Sequence, residues 1–377
     1  MDYFYSLEAI MIPSTAMNPM RVGLIGCGRI AQNKHIPAIL SCPTLKLSAI
    51  CSRSARSLDT AREMIGSREL FVTNESDALL ARDDLDAVCI CLPHRLHASA
   101  AVAALNAGKH VLCEKPMACR LEDAERMLRA AEENGRVLSV AYQHRFSEPA
   151  RKLKSLCEQS VFGRLYHIDA VYMRQRGVPS WGEFCTGSPE EGGSLLDIGS
   201  HVLDLMLYLS GEKEPMSVLG KTYSYIGKAG SRCNRWGTWP QPFLSDDSAF
   251  AMLSFPDGLS CHLQVAWASN IPEKEIFQLR FLGTEAGAVL EKDRLTLIRE
   301  AEEGMACTVL VDQAEVPVSP LAPTCREWES FRADILAQRQ GNAAEALLTA
   351  RIIDDIRRSS LSGLPVVYQE QSRQTQA

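Results

Sequence analysis

The sequence predicts two domains of different class: an α/β domain built on a parallel sheet, then an α+β domain with a large, mostly antiparallel open sheet. Three observations carry this. From Met20 to Ala141 short apolar runs alternate with stretches of helical periodicity. From Leu165 onward the apolar runs follow one another with few helical stretches between them. A glycine turn, Gly26-Cys27-Gly28, stands directly after the first apolar run, where a strand must bend sharply into a helix.

Taken in order, the first domain reads as strand Met20–Gly26, helix Ile30–Ser41, strand Lys46–Ser52, helix Ala55–Ile65 and strand Asp86–Leu92. Helix His97–Ala107, strand His110–Cys113, helix Leu121–Asn134 and strand Val137–Tyr142 complete it. Such βαβ alternation requires a parallel sheet with helices over it. The second domain reads as strands Leu165–Arg174, Ser248–Phe255, Leu259–Ala268, Glu275–Gly283 and Arg294–Arg299. Phe255-Pro256-Asp257-Gly258-Leu259 joins two of them as a hairpin. One helix, Leu196–Ser210, lies early in this domain, and helices Arg326–Gln338 and Ala343–Ser360 precede a turn at Gly363 and a short strand ending in Tyr368. Residues 1–19 read as an extension, 20–146 as the first domain and 147–377 as the second, with Ser147-Glu148-Pro149 at the boundary.

A chain of 377 residues is too long for one ordinary core and fits two domains. Lys plus Arg number 40 against 46 for Asp plus Glu, a net charge of −6, which argues against a nucleic-acid surface. The thirteen cysteines are scattered and unpaired in spacing, and Cys27, Cys51, Cys89, Cys91 and Cys113 fall inside apolar runs. They read as reduced core thiols in a cytoplasmic protein, with no zinc motif. No secretory leader pattern opens the chain, and no run approaches the ~20 apolar residues that span a bilayer.

In a parallel sheet a ligand lies beyond the carboxyl ends of the strands, so the residues just after each apolar run are the candidates. Gly26, Cys27, Gly28, Arg29 and Ile30 form the turn that brings backbone N–H groups to a pyrophosphate, and the small Ala31 lets the next helix pack closely. This is the fingerprint of a Rossmann dinucleotide-binding domain. After the second strand come Ser52, Arg53 and Ser54, with no carboxylate to bind a ribose diol. Hydroxyls plus a guanidinium favour the 2′-phosphate of NADP(H), while Arg53 stacked on adenine would leave NAD(H) as the alternative. Leu92, Pro93 and His97 follow the third strand, Glu114 and Lys115 the fourth, and Gln143 and His144 the last, all in position to face cofactor or substrate. His94 and His97, three residues apart without a nearby carboxylate, do not make a metal site.

The order of Gly26-Cys27-Gly28-Arg29-Ile30-Ala31, Glu114-Lys115-Pro116 and Gly192-Gly193-Ser194-Leu195-Leu196-Asp197-Ile198-Gly199-Ser200-His201 resembles the Gfo/Idh/MocA family of oxidoreductases. The resemblance runs from Met20 over nearly the whole chain. It implies that Lys115 stands beside the nicotinamide and the reacting carbon, that Pro116 follows a cis bond, and that Asp197 and His201 from the second domain complete the catalytic site. Residue chemistry agrees with those roles. Oxidising a secondary alcohol needs a base at the hydroxyl, and His201 has a near-neutral reference pKa. Asp197, four residues earlier on the same helical face, can bind a hydroxyl or support the imidazole.

The loop 174–184 reads as a substrate wall in which Trp181 offers a flat face to a sugar ring and Arg176 offers donors. The segment Trp236–Pro242 reads as a lid or a subunit contact. The expected activity is NAD(P)-dependent hydride transfer to or from a secondary hydroxyl or ketone of a sugar, cyclitol or glycoside. The alternatives are a glycosidase working by transient oxidation on the same fold, and a dinucleotide-sensing protein without catalysis. An open sheet with too few helices to cover both faces predicts a homodimer or homotetramer.

Overall fold

The structure, a computed structural model, describes residues 18–368 apart from 183, 189, 212–213 and 314–318. Of the expected N-terminal extension, residues 1–17 lie outside the described residues. Six strands form the first sheet: β1 (Met20–Ile25), β2 (Leu45–Cys51), β3 (Phe71–Thr73), β4 (Ala87–Ile90), β5 (His110–Glu114) and β6 (Leu138–Ala141). They pair in parallel in the order β3-β2-β1-β4-β5-β6. The order reverses beside β1, which opens a ligand crevice at the carboxyl ends of β1 and β4. Every residue of β4 and β6 is buried, the reason these strands read as unbroken apolar runs.

The interleaved helices are α1 (Ile36–Ser41), α2 (Ala55–Ile65), α3 (Ser76–Leu80), α4 (His97–Asn106) and α5 (Leu121–Glu133). The helix expected over Ile30–Ser41 begins as a π-helical turn, Ala31–His35, before α1. Pro37 stands in the first turn of α1 and has no N–H for the next i→i−4 bond, so the ladder widens ahead of it. β3 and α3, three and five residues long, carry too little periodicity to be read from sequence.

The second domain begins with α6 (Glu148–Glu158), whose cap is Ser147, accepting the Ala150 N–H. Ser-Glu-Pro is therefore a helix start with proline in the first turn. There follow β7 (Leu165–Arg174), α7 (Ser200–Ser210), β8 (Ser217–Tyr223), α8 (Tyr225–Ala229), β9 (Ser248–Ser254), β10 (Ser260–Ala266) and β11 (Glu275–Gly283). The chain continues through β12 (Ala286–Glu291), β13 (Arg294–Ala301), β14 (Gly304–Asp312), α9 (Ala322–Leu336), α10 (Ala343–Ser362) and β15 (Val366–Val367). The nine strands are ordered β14-β13-β12-β11-β7-β10-β9-β8-β15, and only β7 and β10 run parallel. The sequence reading omits α6, β8, α8, β12 and β14. β14 is exposed along most of its length, and β8 and β12 place glycine within the strand, so none shows a clean alternation.

The last two helices join the domains. Trp328 and Phe331 of α9 pack with Ile36 and Ile39 of α1 on one side of the parallel sheet. Ala343 and Ala346 of α10 pack with Leu105 and Met127 on its other side. Ile352, Ile353 and Ile356, further along α10, belong to the core of the second domain. Arg145, just after β6, is buried and pairs with Asp204 of α7 at 2.6 Å and Glu345 of α10 at 2.5 Å. Among the described residues no helix is long and apolar enough to cross a membrane.

Candidate active site

The glycine turn after β1 is shaped by one contact. Gly26 has φ +97°, and a Cβ there would lie 2.3 Å from the Cys91 carbonyl oxygen, so no other residue fits. A Cβ at Gly28 would meet nothing within 4 Å, so the space beside that peptide is open to a ligand. A cleft of about 360 Å³ begins there, lined by Gly28, Arg29 and Ile30, by Cys91, Leu92, Pro93, His94, Arg95 and His97, and by Glu114 and Lys115. Trp181, Gly182, Phe184 and Glu191 of the second domain close its far side. An open glycine cradle, strand-end residues and a roof from the other domain fit a dinucleotide.

Glu114 is tied down on both oxygens: Oε1 accepts from His35 Nε2 at 2.9 Å, and Oε2 from the Lys115 N–H at 3.1 Å. His35 Nδ1 accepts from the Trp328 indole N–H at 3.2 Å, so both ring nitrogens are held. Burial raises the Glu114 carboxyl, but the His35 bond and the Lys115 charge outweigh it and hold the group below its ordinary pKa. His35 also stands with Cys89 and Cys91, the three ligand atoms within 4.8 Å of one another. Both ring nitrogens are engaged by Glu114 and Trp328, so the trio is already knit by hydrogen bonds. The thirteen cysteines are all free thiols.

The Lys115–Pro116 bond is cis. Lys115 Nζ donates to Asp197 Oδ1 at 2.7 Å and to the Asp197 carbonyl at 3.1 Å. An ammonium has three donors, so one N–H remains for a ligand in the cleft that Lys115 lines. Asp197 lies in a π-helical turn, Leu195–Gly199, that leads into α7. The turn is set by Gly193, whose φ of +98° and contact with Asp246 leave no room for a Cβ. Asp246 then accepts from the Ser194 hydroxyl at 2.6 Å and the Leu195 N–H at 2.8 Å. The second Asp197 oxygen accepts from the Trp267 indole N–H at 3.0 Å. Both carboxylate oxygens are thus engaged, and neither supports the His201 ring.

His201 is buried in α7, and among the described residues its Nδ1 is sealed in the interior without a partner. Its ring meets His144 edge-on at 4.8 Å, and His144 stacks on Phe277 of β11 at 4.8 Å. Burial, then the Lys115 charge, pulls His201 well below the ordinary imidazole range. His144 is pulled to about 4 by burial and Lys115 in the same way. Burial raises the Asp197 carboxyl, but Lys115 and Arg174 outweigh it and hold it ionised below its ordinary range. The site therefore contains a neutral imidazole beside a fixed ammonium–carboxylate pair.

The other sequence candidates fall in different places. Ser52, Arg53 and Ser54 follow β2. Ser54 caps α2 by accepting the Ser57 N–H at 3.3 Å, and Arg53 is exposed with no ion pair among the described residues. His97 is buried with its two ring nitrogens 2.8 Å from the carbonyls of Pro116 and Leu92, bracing the cleft wall. Gln143 opens a 3₁₀ turn, Gln143–Phe146. Arg176 spends its guanidinium on Ser231, Asn270 and the carbonyls of Gln175 and Ser269, within its own domain. Trp181 packs against Trp236 at 5.6 Å and under Arg29 at 4.6 Å, so the structure sets it over the cofactor cleft.

Sequence reading does not single out Tyr172, Trp267 or Phe277, and it places Arg174 and Phe184 only as the ends of the expected substrate wall. Arg174 donates to the Tyr172 hydroxyl at 2.8 Å and Glu275 at 3.0 Å and lies over Trp236 at 4.5 Å. Tyr172, Trp267 and Phe277 stand on or beside second-domain strands that read simply as sheet. Arg174, a charge at the end of an apolar run next to the Trp181 loop, carries the one visible signal.

Fold and cleft together define a two-domain oxidoreductase with a dinucleotide-binding Rossmann domain. The profile of the oxidoreductase family with an NAD-binding Rossmann fold matches residues 20–142, and that of the GFO/IDH/MocA C-terminal domain matches residues 150–289. The chain belongs to the Gfo/Idh/MocA family. It is 34% identical over 274 residues to D-glucoside 3-dehydrogenase of Escherichia coli (strain K12), covering 72% of this chain and 77% of that protein. It is 28% identical over 352 residues to dTDP-3,4-didehydro-2,6-dideoxy-alpha-D-glucose 3-reductase of Streptomyces violaceoruber, covering 90% and 95%. Levoglucosan dehydrogenase in complex with NADH shares the fold, with TM-score 0.80 and 22% identity over 93% of this chain and 100% of that one.

Proposed function

We propose that this enzyme transfers hydride between a nicotinamide cofactor and a secondary alcohol or ketone of a sugar, cyclitol or glycoside. The observation that carries the reading is the meeting of Lys115, at the carboxyl end of β5, with Asp197 at 2.7 Å and the neutral His201 one turn further on. The sugar dehydrogenase and sugar reductase among its relatives support the substrate class. The bound nicotinamide supplies or accepts the hydride. In the oxidative direction His201 Nε2 takes up the hydroxyl proton, which a depressed pKa leaves it free to do at neutral pH. The remaining Lys115 N–H donates to the same oxygen and stabilises charge that builds on it. Asp197 holds that ammonium in place. A neutral polyol suits a site where the Asp197 carboxylate is already paired with the Lys115 ammonium.

Turnover of a panel of sugars, cyclitols and glycosides, read at the nicotinamide absorbance band, tests this. Reduction of cofactor by at least one panel member is expected, and release of aglycone without net reduction would identify the glycosidase instead. We further infer that the second sheet pairs with another copy. α6, α7 and α10 pack on one of its faces, while Leu219 and Met252, facing each other across β8 and β9, are 50% and 43% exposed on the other. A monomer mass by light scattering at micromolar concentration would refute that.

A further inference from the structure

We propose that Trp267 is a positioning residue for this reaction: its buried indole N–H fixes one oxygen of Asp197, so that the other oxygen holds the Lys115 ammonium against the cofactor cleft. The proposal rests on the reading of Lys115 as the donor to the reacting oxygen.

Trp267 stands one residue beyond β10 and is wholly buried. Its backbone is pinned on both sides, the N–H donating to the Asp247 carbonyl at 2.8 Å and the carbonyl accepting from the Gly177 N–H at 2.7 Å. The ring is wholly buried, and its Nε1 ends 3.0 Å from Asp197 Oδ2. An indole N–H is a donor only, so it cannot exchange a proton with the carboxylate or swap roles with Lys115. Each Asp197 oxygen has one task as a result. Oδ1 orients the ammonium, and Oδ2 is anchored to the sheet of the second domain.

The groups facing Asp197 are Lys115, Arg174 and His94, together with Tyr172 and Cys185. Arg174 contributes charge, but its bonds go to Glu275, Tyr172 and the Gly177 carbonyl. Trp267 is thus the second side-chain donor to this carboxylate among the described residues. A tryptophan serving only as core filler would be replaced by phenylalanine with a loss of volume alone. A tryptophan serving as an anchor would, on losing its N–H, leave a buried carboxylate oxygen unsatisfied and free to turn toward Lys115 or the substrate.

Trp267→Phe in the full-length enzyme separates these. We expect kcat to fall by about ten- to a hundredfold with dinucleotide Kd within about twofold of wild type. An N–H bond favours the ionised carboxylate, so its loss raises the Asp197 pKa. The acid limb of the kcat/KM profile is expected to move up by about one to two pH units. A folded variant whose kcat and acid limb coincide with wild type overturns the proposal. A second measurement stands apart from turnover and from folding of that variant. In protein labelled with ¹⁵N at its five tryptophan indoles, Asp197→Asn should move one indole resonance well beyond the other four. If none moves, Trp267 does not serve Asp197. Failure of every sugar to turn over would remove the substrate reading and leave the indole result standing.

Discussion

Arg29 and Trp181 meet across the cofactor cleft that both line, the guanidinium carbon 4.6 Å from the indole centroid. Arg29 belongs to the glycine turn of the first domain and Trp181 to a loop of the second, so this contact joins the two domains across the cleft. The stack continues through Trp236, 5.6 Å from Trp181, to Arg174, 4.5 Å from Trp236, and so reaches the surroundings of Asp197.

A cation–π contact of this kind contributes roughly 0.5–2 kcal/mol, and Trp181 also shields the cleft. Trp181→Ala should therefore weaken dinucleotide binding by about three- to thirtyfold, chiefly through faster release. Stopped-flow displacement of the bound cofactor measures this. An unchanged release rate would mean that the clasp opens without consequence.

Lys115→Ala and His201→Ala should each lower kcat by ~10²–10⁴ while leaving dinucleotide affinity near wild type. Lys115→Ala also strips a partner from the buried Asp197, so its thermal stability should fall as well. Steady-state kinetics and isothermal titration of cofactor separate the two effects. Full turnover in either variant removes that residue from the mechanism.

Cofactor choice turns on Arg53, which is exposed after β2 with no acid beside it at Ser52 or Ser54. Pairing with a 2′-phosphate should favour NADP(H) over NAD(H) by about ten- to a hundredfold, and Arg53→Ala should erase the difference. Titration of both dinucleotides into both proteins decides it. Tighter NAD(H) binding by the wild type would sink the NADP(H) preference.

Acid should unfold this protein earlier than its carboxylates alone require. Burial holds His94, His97, His110, His144 and His201 below the ordinary imidazole value of 6.5, His110 and His144 at about 4. Between those values the unfolded chain binds protons that the native chain refuses, so the contribution of these five rings is full above pH 6.5 and falls as pH falls. The slope is up to about 1.4 kcal/mol per pH unit for each such ring. Glu327 of α9 works in the opposite sense. It is buried with Oε1 unpartnered, and burial raises it to about 8, so it costs stability as pH rises from 4.5 toward 8. Melting temperatures across pH 4–9 should show both limbs, and Glu327→Gln should flatten the alkaline one. A melting temperature flat from pH 6.5 to 4.5 would contradict the buried neutral histidines.

Much of this molecule was determined by local sequence. The alternation from Met20 to Ala141 dictates a parallel sheet because its central strands are covered on both faces, and Gly26 marks the turn because a Cβ there would lie 2.3 Å from the Cys91 carbonyl oxygen. Lys115, Asp197 and His201 stood out as candidates because their motifs, in their order along the chain, resemble those of the family. Tertiary structure alone decided what those residues touch. Asp197 and His201 share a helical face, yet the carboxylate turns to Lys115, 82 residues away, and to Trp267, 70 residues away, instead of to the imidazole four residues on. Trp181 roofs the cofactor cleft because Arg29 lies opposite it, and Arg176 is spent on its own domain by partners up to 94 residues distant. α9 and α10 complete the cores of a domain that ended in sequence some 180 residues earlier, which no periodicity within them could announce. Pattern along a chain fixes which face of an element is apolar, and long-range packing fixes which partner that face and its polar neighbours meet.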